Sequence, residues 1–298
     1  MIDHSNMRLG KRPRRHDPRT LKLARYLTSA LPPAPPCVDY TRGVTDWGMM
    51  LNNTLGCCTI SAVGHAVQVL TANASQELTL PDSTILQYYE QWDGYNPANP
   101  ATDQGGVELD VLNNWRQQGF AGQTLEAYVA IDIGTRDSGH GTRQSATAQP
   151  QDLVPALTQA IWLFGGAYIG VELPLTAQRQ DVWDVADGPD ADPGSWGGHS
   201  VYLVGYETPV TTPSLSAPPL LNQEGSFAGP SPVSRVPCPG SLTCITWGQL
   251  KKLTWAWFEK YCSEAYALIS RDWIEATGVS PSGFVLSALE ADLKLVTS

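Results

Sequence analysis

Cys58 closes a turn of mostly small and polar residues, Asn52-Asn53-Thr54-Leu55-Gly56-Cys57, and opens the apolar run Thr59-Ile60-Ser61-Ala62-Val63-Gly64-His65-Ala66-Val67. That run has helical character, which puts the Cys58 thiol at a helix N-terminus. There the free N–H groups and the helix dipole favour the thiolate, the nucleophilic form of cysteine. Much later in the chain a glycine pair precedes His199, which starts the alternating segment Ser200-Val201-Tyr202-Leu203-Val204-Gly205-Tyr206. A strand of this kind can hold an imidazole rigidly beside a nucleophile supplied from elsewhere. The chemistry such a pair can perform is attack of Cys58 on an amide or peptide carbonyl, with His199 taking and returning the proton. The Asn52 side-chain amide and the Cys58 backbone N–H are candidate donors to the oxyanion.

These segments resemble the papain-like cysteine peptidases. Asn52 stands six residues before Cys58, where that family keeps its oxyanion-hole Gln. Thr246-Trp247-Gly248 is similar to the Asn-Ser-Trp-Gly segment that follows the family's His, and Glu264-Ala265-Tyr266-Ala267-Leu268-Ile269 is similar to the strand that closes its sheet. The resemblance covers roughly residues 38–270. It implies an α+β fold with a helical N-terminal half packed on an antiparallel β-sheet half, and a thiol-dependent peptidase or amidohydrolase that needs no cofactor and no metal. Two positions depart from the family pattern. Ile245 falls where the His-orienting Asn is kept and offers no side-chain hydrogen bond, so that role is open to Thr246 or to an Asp or Asn from the segment before His199. Asn52 is one methylene shorter than Gln, which requires a closer backbone.

The elements that must position these groups are legible in outline. Helical patterns cover 59–74, a segment starting at Pro81-Asp82-Ser83 with Ile85, Leu86, Tyr88, Tyr89 and Trp92, and a segment from Val107 to a C-cap at Gly119. Another lies at 151–163. Strand patterns cover 127–131, 167–173, 199–206, 242–247 and 264–269. Residues 249–262 read as a helix, with Leu250, Leu253, Trp257, Phe258 and Tyr261 at helical spacing, and a final amphipathic helix spans 283–295. Residues 133–150 and 208–240 are loops by composition, and the second is long enough to suggest a partner-binding or functional role. Leu21–Leu27 is a short helical piece, and Leu31–Pro36 is an extended proline-rich strap.

Three units follow: a basic arm and strap over 1–37, a papain-like domain over 38–270, and a C-terminal helical extension over 271–298. With 19 Lys and Arg against 29 Asp and Glu, the net charge of -10 disfavours nucleic-acid binding by the body of the protein. The arm is the exception, because Arg8, Lys11, Arg12, Arg14, Arg15 and Arg19 crowd into it. It reads as a solvated tail or a strap on the protein's own acidic surface, and alternatively as a contact for nucleic acid or an acidic partner. No apolar run is long enough for a membrane span, and no secretory h-region stands at the N-terminus, which predicts a cytoplasmic protein. A second reading keeps the fold as a structural module, for example in a phage particle, with a virion location and assembly through the arm and loop 208–240.

Other candidate sites read as structural. Cys238 and Cys244 could close a local disulfide if the chain reached an oxidising compartment, and a zinc half-site is disfavoured because no second ligand pair stands at metal spacing. Asp184, Asp187, Asp190 and Asp192 lack the alternate spacing of a calcium loop and read as a solvated acidic loop. His65 lies two helical turns from Cys58 and reads as packing or surface. Trp196 and Trp247 read as walls of a cleft.

Overall fold

A computed structural model describes residues 4–29, 31–74, 76–133, 135–136, 143–144, 150–209, 240–273 and 285–297. The expectations for loop 208–240, and for pairing of Cys238 with Cys244, fall largely or wholly outside these residues.

Three helices form one layer: α1 (Cys58–Ala74), α2 (Asp82–Asp93) and α3 (Glu108–Gln118). Every residue of α1 from Cys58 to Leu70 is buried, because this helix is apolar on nearly all sides and sits between the other two helices and the sheet. Gly119 ends α3 at φ +76°, with its N–H bonded to the Trp115 carbonyl.

The second layer is an eight-stranded sheet. Its strands are β1 (Cys37–Asp39), β2 (Ala127–Ala130), β3 (Ala167–Leu173), β4 (Val182–Trp183), β5 (Gly197–Glu207), β6 (Ser241–Thr246), β7 (Gln249–Leu253) and β8 (Cys262–Ile269). The order across the sheet is β2-β8-β3-β5-β6-β7-β4, with β1 also paired to β5. All pairs are antiparallel except β4 with β7.

Strand alternation gives the sheet two apolar faces. Tyr168, Tyr202, Val204, Ile245, Tyr266 and Leu268 pack toward α1, α2 and α3. Ile169, Val171, Val201, Leu203, Ala265 and Ala267 face the opposite way, toward α4 (Pro150–Phe164) and α5 (Trp255–Tyr261). Helix α6 (Leu286–Thr297) adds Leu289 to that second core, and its Asp292 accepts a hydrogen bond from the Tyr26 hydroxyl. The fold is thus α+β, with the helical part of the N-terminal half against a largely antiparallel sheet. Among the described residues, no helix is long and apolar enough to cross a membrane.

The expected helix over 249–262 is corrected. Gln249–Leu253 is strand β7, and only Trp255–Tyr261 is helical. Thr246 and Gln249 pair across a two-residue turn in which Trp247 (φ +47°) and Gly248 (φ +70°) are both left-handed. That backbone suits a tight hairpin, whose twist matches the flanking strands. Thr254 then caps α5 by accepting the Trp257 N–H.

Candidate active site

The turn before α1 is braced from the helical layer. Asp103 Oδ1 accepts both the Gly56 N–H at 3.0 Å and the Tyr89 hydroxyl at 2.6 Å, and the Tyr89 oxygen in turn accepts the Gly105 N–H. The Cys57 carbonyl accepts from both Ile60 and Ser61, so the helix starts at Cys58. The Tyr168 hydroxyl donates to the Thr59 carbonyl at 3.0 Å and ties the start of α1 to β3. Cys57 points back into the core toward the Met50 carbonyl and Ser61. Its thiol is pushed up to about 12 by burial.

Cys58 is fully buried, and its thiol is pushed up to about 11 by burial. Backbone N–H groups of Ser200 and Gly10 offset part of that shift. The expectation that a helix N-terminus lowers this pKa is therefore corrected. Loss of water outweighs the favourable dipoles.

His199 is also fully buried, and burial lowers its pKa to about 3, which keeps the ring neutral. Its Nε2 lies 2.8 Å from Thr246 Oγ1, and its Nδ1 has no hydrogen-bond partner. The ring stacks on Trp247, centroids 4.6 Å apart and planes 20° from parallel. The left-handed turn at Trp247-Gly248 delivers that indole to the histidine. Ile245 is paired with Tyr202 and buried in the core facing α1. Thr246, one residue on, supplies the polar contact to the ring.

Asn52 is buried and its Nδ2 has no partner, a donor left unused inside the protein. Ser200, next to His199, meets the Cys58 thiol through its backbone, so Cys58 lies beside the start of β5. No hydrogen bond joins Cys58 to the His199 Nδ1. His65 is a packing residue: it is buried and its Nε2 shares the Trp47 and Gly48 carbonyls at 3.0 and 3.2 Å. Trp196 packs against Trp247. Asp184 accepts the Thr254 hydroxyl at 2.8 Å, and among the described residues no cluster of His, Cys, Asp and Glu forms a metal site.

No family model matches this chain, and no curated protein does. Solved structures do. Xylellain, a cysteine protease from Xylella fastidiosa, superposes with a TM-score of 0.52 over 89% of this chain and 97% of its own, at 13% identity. Digestive procathepsin L 3 of the Tenebrio molitor larval midgut superposes with a TM-score of 0.50 over 89% of this chain and 76% of its own, also at 13% identity. The fold is papain-like. At this identity the likeness establishes architecture, and the chemistry has to be argued from this chain's own residues.

The N-terminal arm runs between the loop before α3 and the start of β5, beside Cys58. Gly10 accepts a hydrogen bond from the Gly106 N–H at 2.8 Å, Arg12 donates to the Gly106 carbonyl at 2.8 Å, and Lys11 donates to the Gly198 carbonyl at 3.1 Å. The arm thus bridges α3's leading loop and the strand that carries His199. A Cβ on Gly105 (φ +70°) would lie 1.8 Å from the Gly10 carbonyl oxygen, so the arm can approach this closely only because side chains are missing there. Farther upstream His4 stacks on Trp247 at 5.0 Å.

Lys11 is not solvated. Its ammonium sits 3.1 Å from both Glu172 and Glu264, with the Arg12 carbonyl at 3.3 Å and the side chain wholly buried. Burial works against its charge, but Glu264, Glu108 and Glu172 together outweigh burial and raise its pKa. Sequence reading missed this cluster, since residues 11, 108, 172 and 264 come from the arm, α3, β3 and β8 and carry no local motif.

Proposed function

We propose that this chain is a thiol-dependent peptidase or amidohydrolase in which Cys58 and His199 act as a pair, and that the arm holds it in an unreactive state. The observation that carries the reading is the posture of His199. With Nε2 tied to Thr246 and Nδ1 free of partners, the tautomer with its proton on Nε2 leaves a lone pair on Nδ1, at the strand position next to the residue that touches the Cys58 thiol. A base needs that lone pair.

In the open state the Cys58 sulfur attacks the substrate carbonyl carbon while its proton passes to His199 Nδ1. The resulting oxyanion takes hydrogen bonds from the Asn52 side chain and the Cys58 N–H. His199 then protonates the departing amine and leaves a thioester on Cys58. Water, deprotonated by the same ring, hydrolyses the thioester to the acid and restores the thiol. The arm interrupts this sequence because it offers the sulfur the Gly10 N–H rather than a carbonyl carbon, and because it excludes substrate and water.

The test uses the full chain carrying Lys11→Ala, which removes the buried ion pairs of the arm. Hydrogen exchange at the Gly106 and Arg12 amides reports whether the arm has left. Expected results are alkylation of Cys58 by iodoacetamide, located by peptide mapping, and hydrolysis of a fluorogenic peptide amide that Cys58→Ser abolishes. An open cleft with a Cys58 no faster than Cys37 and no hydrolysis would overturn the proposal.

A further inference from the structure

The pocket that receives Lys11 is built more elaborately than a strap requires. Its floor is Gly170, where a Cβ would lie 2.1 Å from Lys11 Cε and 2.9 Å from Glu108 Oε2. Its walls carry Glu264, whose other oxygen accepts the Tyr266 hydroxyl at 2.9 Å, and Glu172, which is partly exposed at the rim. Glu108 is completely buried against the same floor, and neither of its carboxyl oxygens has a hydrogen-bond partner. Burial pushes its pKa well up. Buried carboxyl groups are costly, and two of them, Glu108 and Glu264, beside a third at the rim are offset here by the ammonium of Lys11.

The slot also lies close to Cys58 and His199. The backbone of Lys11 is bonded to Gly198, the residue before His199, and the neighbouring Gly10 meets the Cys58 thiol. Any extended peptide that replaces the arm in this cleft runs past the same slot.

From this geometry we infer that the Glu108, Glu172 and Glu264 pocket is a specificity site for a lysine or arginine side chain of the substrate, and that Lys11 occupies it in the closed state as a substitute. The inference rests on the hydrolase reading above. It goes beyond that reading by naming the class of peptide: basic, one charged side chain being seated near the bond that is cut. The protein's net charge of -10 acts in the same direction by attracting such peptides.

The experiment uses full-length Lys11→Ala and peptidyl fluoromethyl ketones that bear lysine, arginine or norleucine at either of the two residues before the electrophile. The expected result is labelling of Cys58 about tenfold or more faster with a basic probe than with norleucine, because a site with buried polar groups rejects an apolar analogue. Adding Glu264→Gln should collapse that ratio. Glu172→Gln, at the exposed rim, serves where the first change prevents folding. Equal rates for lysine and norleucine would overturn the inference while leaving the hydrolase reading intact. Should no reagent label Cys58, the hydrolase reading fails, and the pocket is judged by thermal denaturation of Lys11→Ala with n-butylammonium chloride against n-butanol. Stabilisation by the ammonium alone supports a basic-side-chain pocket, and no difference between the two overturns it.

Discussion

Replacing Thr246 by Val tests the assignment of the group that orients His199. Valine keeps the branched shape and removes only the hydroxyl, so the ring stays stacked on Trp247 while its Nε2 loses the partner at 2.8 Å. Both residues are buried, so water does not replace the lost bond. An unsatisfied buried donor of this kind costs about 1–3 kcal/mol of folding stability. The effect on rate comes from the tautomer: without an acceptor at Nε2, the proton distributes over both nitrogens and the base at Nδ1 is part of the time blocked. A penalty of about 1.4–2.7 kcal/mol in the transition state corresponds to roughly 10–100-fold in kcat/KM. The assay is peptide-amide hydrolysis in the Lys11→Ala background, with urea denaturation of the same proteins and Thr246→Ser as the control that restores a hydroxyl. A valine variant within about twofold of its parent in rate and within about 0.5 kcal/mol in stability would refute the assignment.

Further outcomes follow from other groups. Ile245→Asn places an amide in the core rather than beside His199, so it should cost about 3 kcal/mol or more in urea denaturation and bring no gain in hydrolysis. In the full chain, alkylation of Cys58 should stay slow at neutral pH and climb toward pH 11, whereas displacement of the arm should bring its titration down toward the ordinary value of about 8.5. His199 and His65 are held neutral by burial, at about 3 and about 4. The unfolded chain binds those protons near pH 6.5 and the folded chain does not, so their stabilisation is complete above about 6.5 and is lost as pH falls to about 4 for His65 and about 3 for His199, by at most roughly 3 and roughly 5 kcal/mol, measurable by denaturation across pH. Asp93 has the opposite sign. Burial raises its carboxyl to about 7, so ionisation destabilises the fold as pH rises from about 4 to 7, and Asp93→Asn should raise stability at pH 8 and steepen the loss on acidification.

What the sequence disclosed of this molecule is local, and what it concealed is assembled. Cys58 before an apolar helix and His199 before an alternating strand each announce themselves within ten residues, because the 3.6 and 2.0 periodicities are written in neighbouring positions. The strand at 249–253 was hidden by coincidence: Leu250, Leu253 and Trp257 also satisfy helical spacing, and only the left-handed Trp247-Gly248 turn distinguishes the two. Thr246 was one of several partners open to His199, and the choice depends on which face of β6 meets the ring. The Lys11 pocket had no sequence signal at all, since four distant segments contribute one charged group each and only the sheet order brings them together.

The arm remains joined to the body through its own chain, with Leu21 bonded to Ala130 in β2. On the proposal that the arm blocks the site, an occupant tethered in this way would compete at an effective concentration of about millimolar whatever the dilution of the protein, and a free peptide would have to match that figure. Arg14 and Arg15 are exposed on the stretch between the pocket and the anchor. A single cut there would turn an intramolecular competitor into a diffusible one. The same contacts would then hold with a strength that falls on dilution, and the switch from closed to open would be set by the volume into which the severed arm escapes.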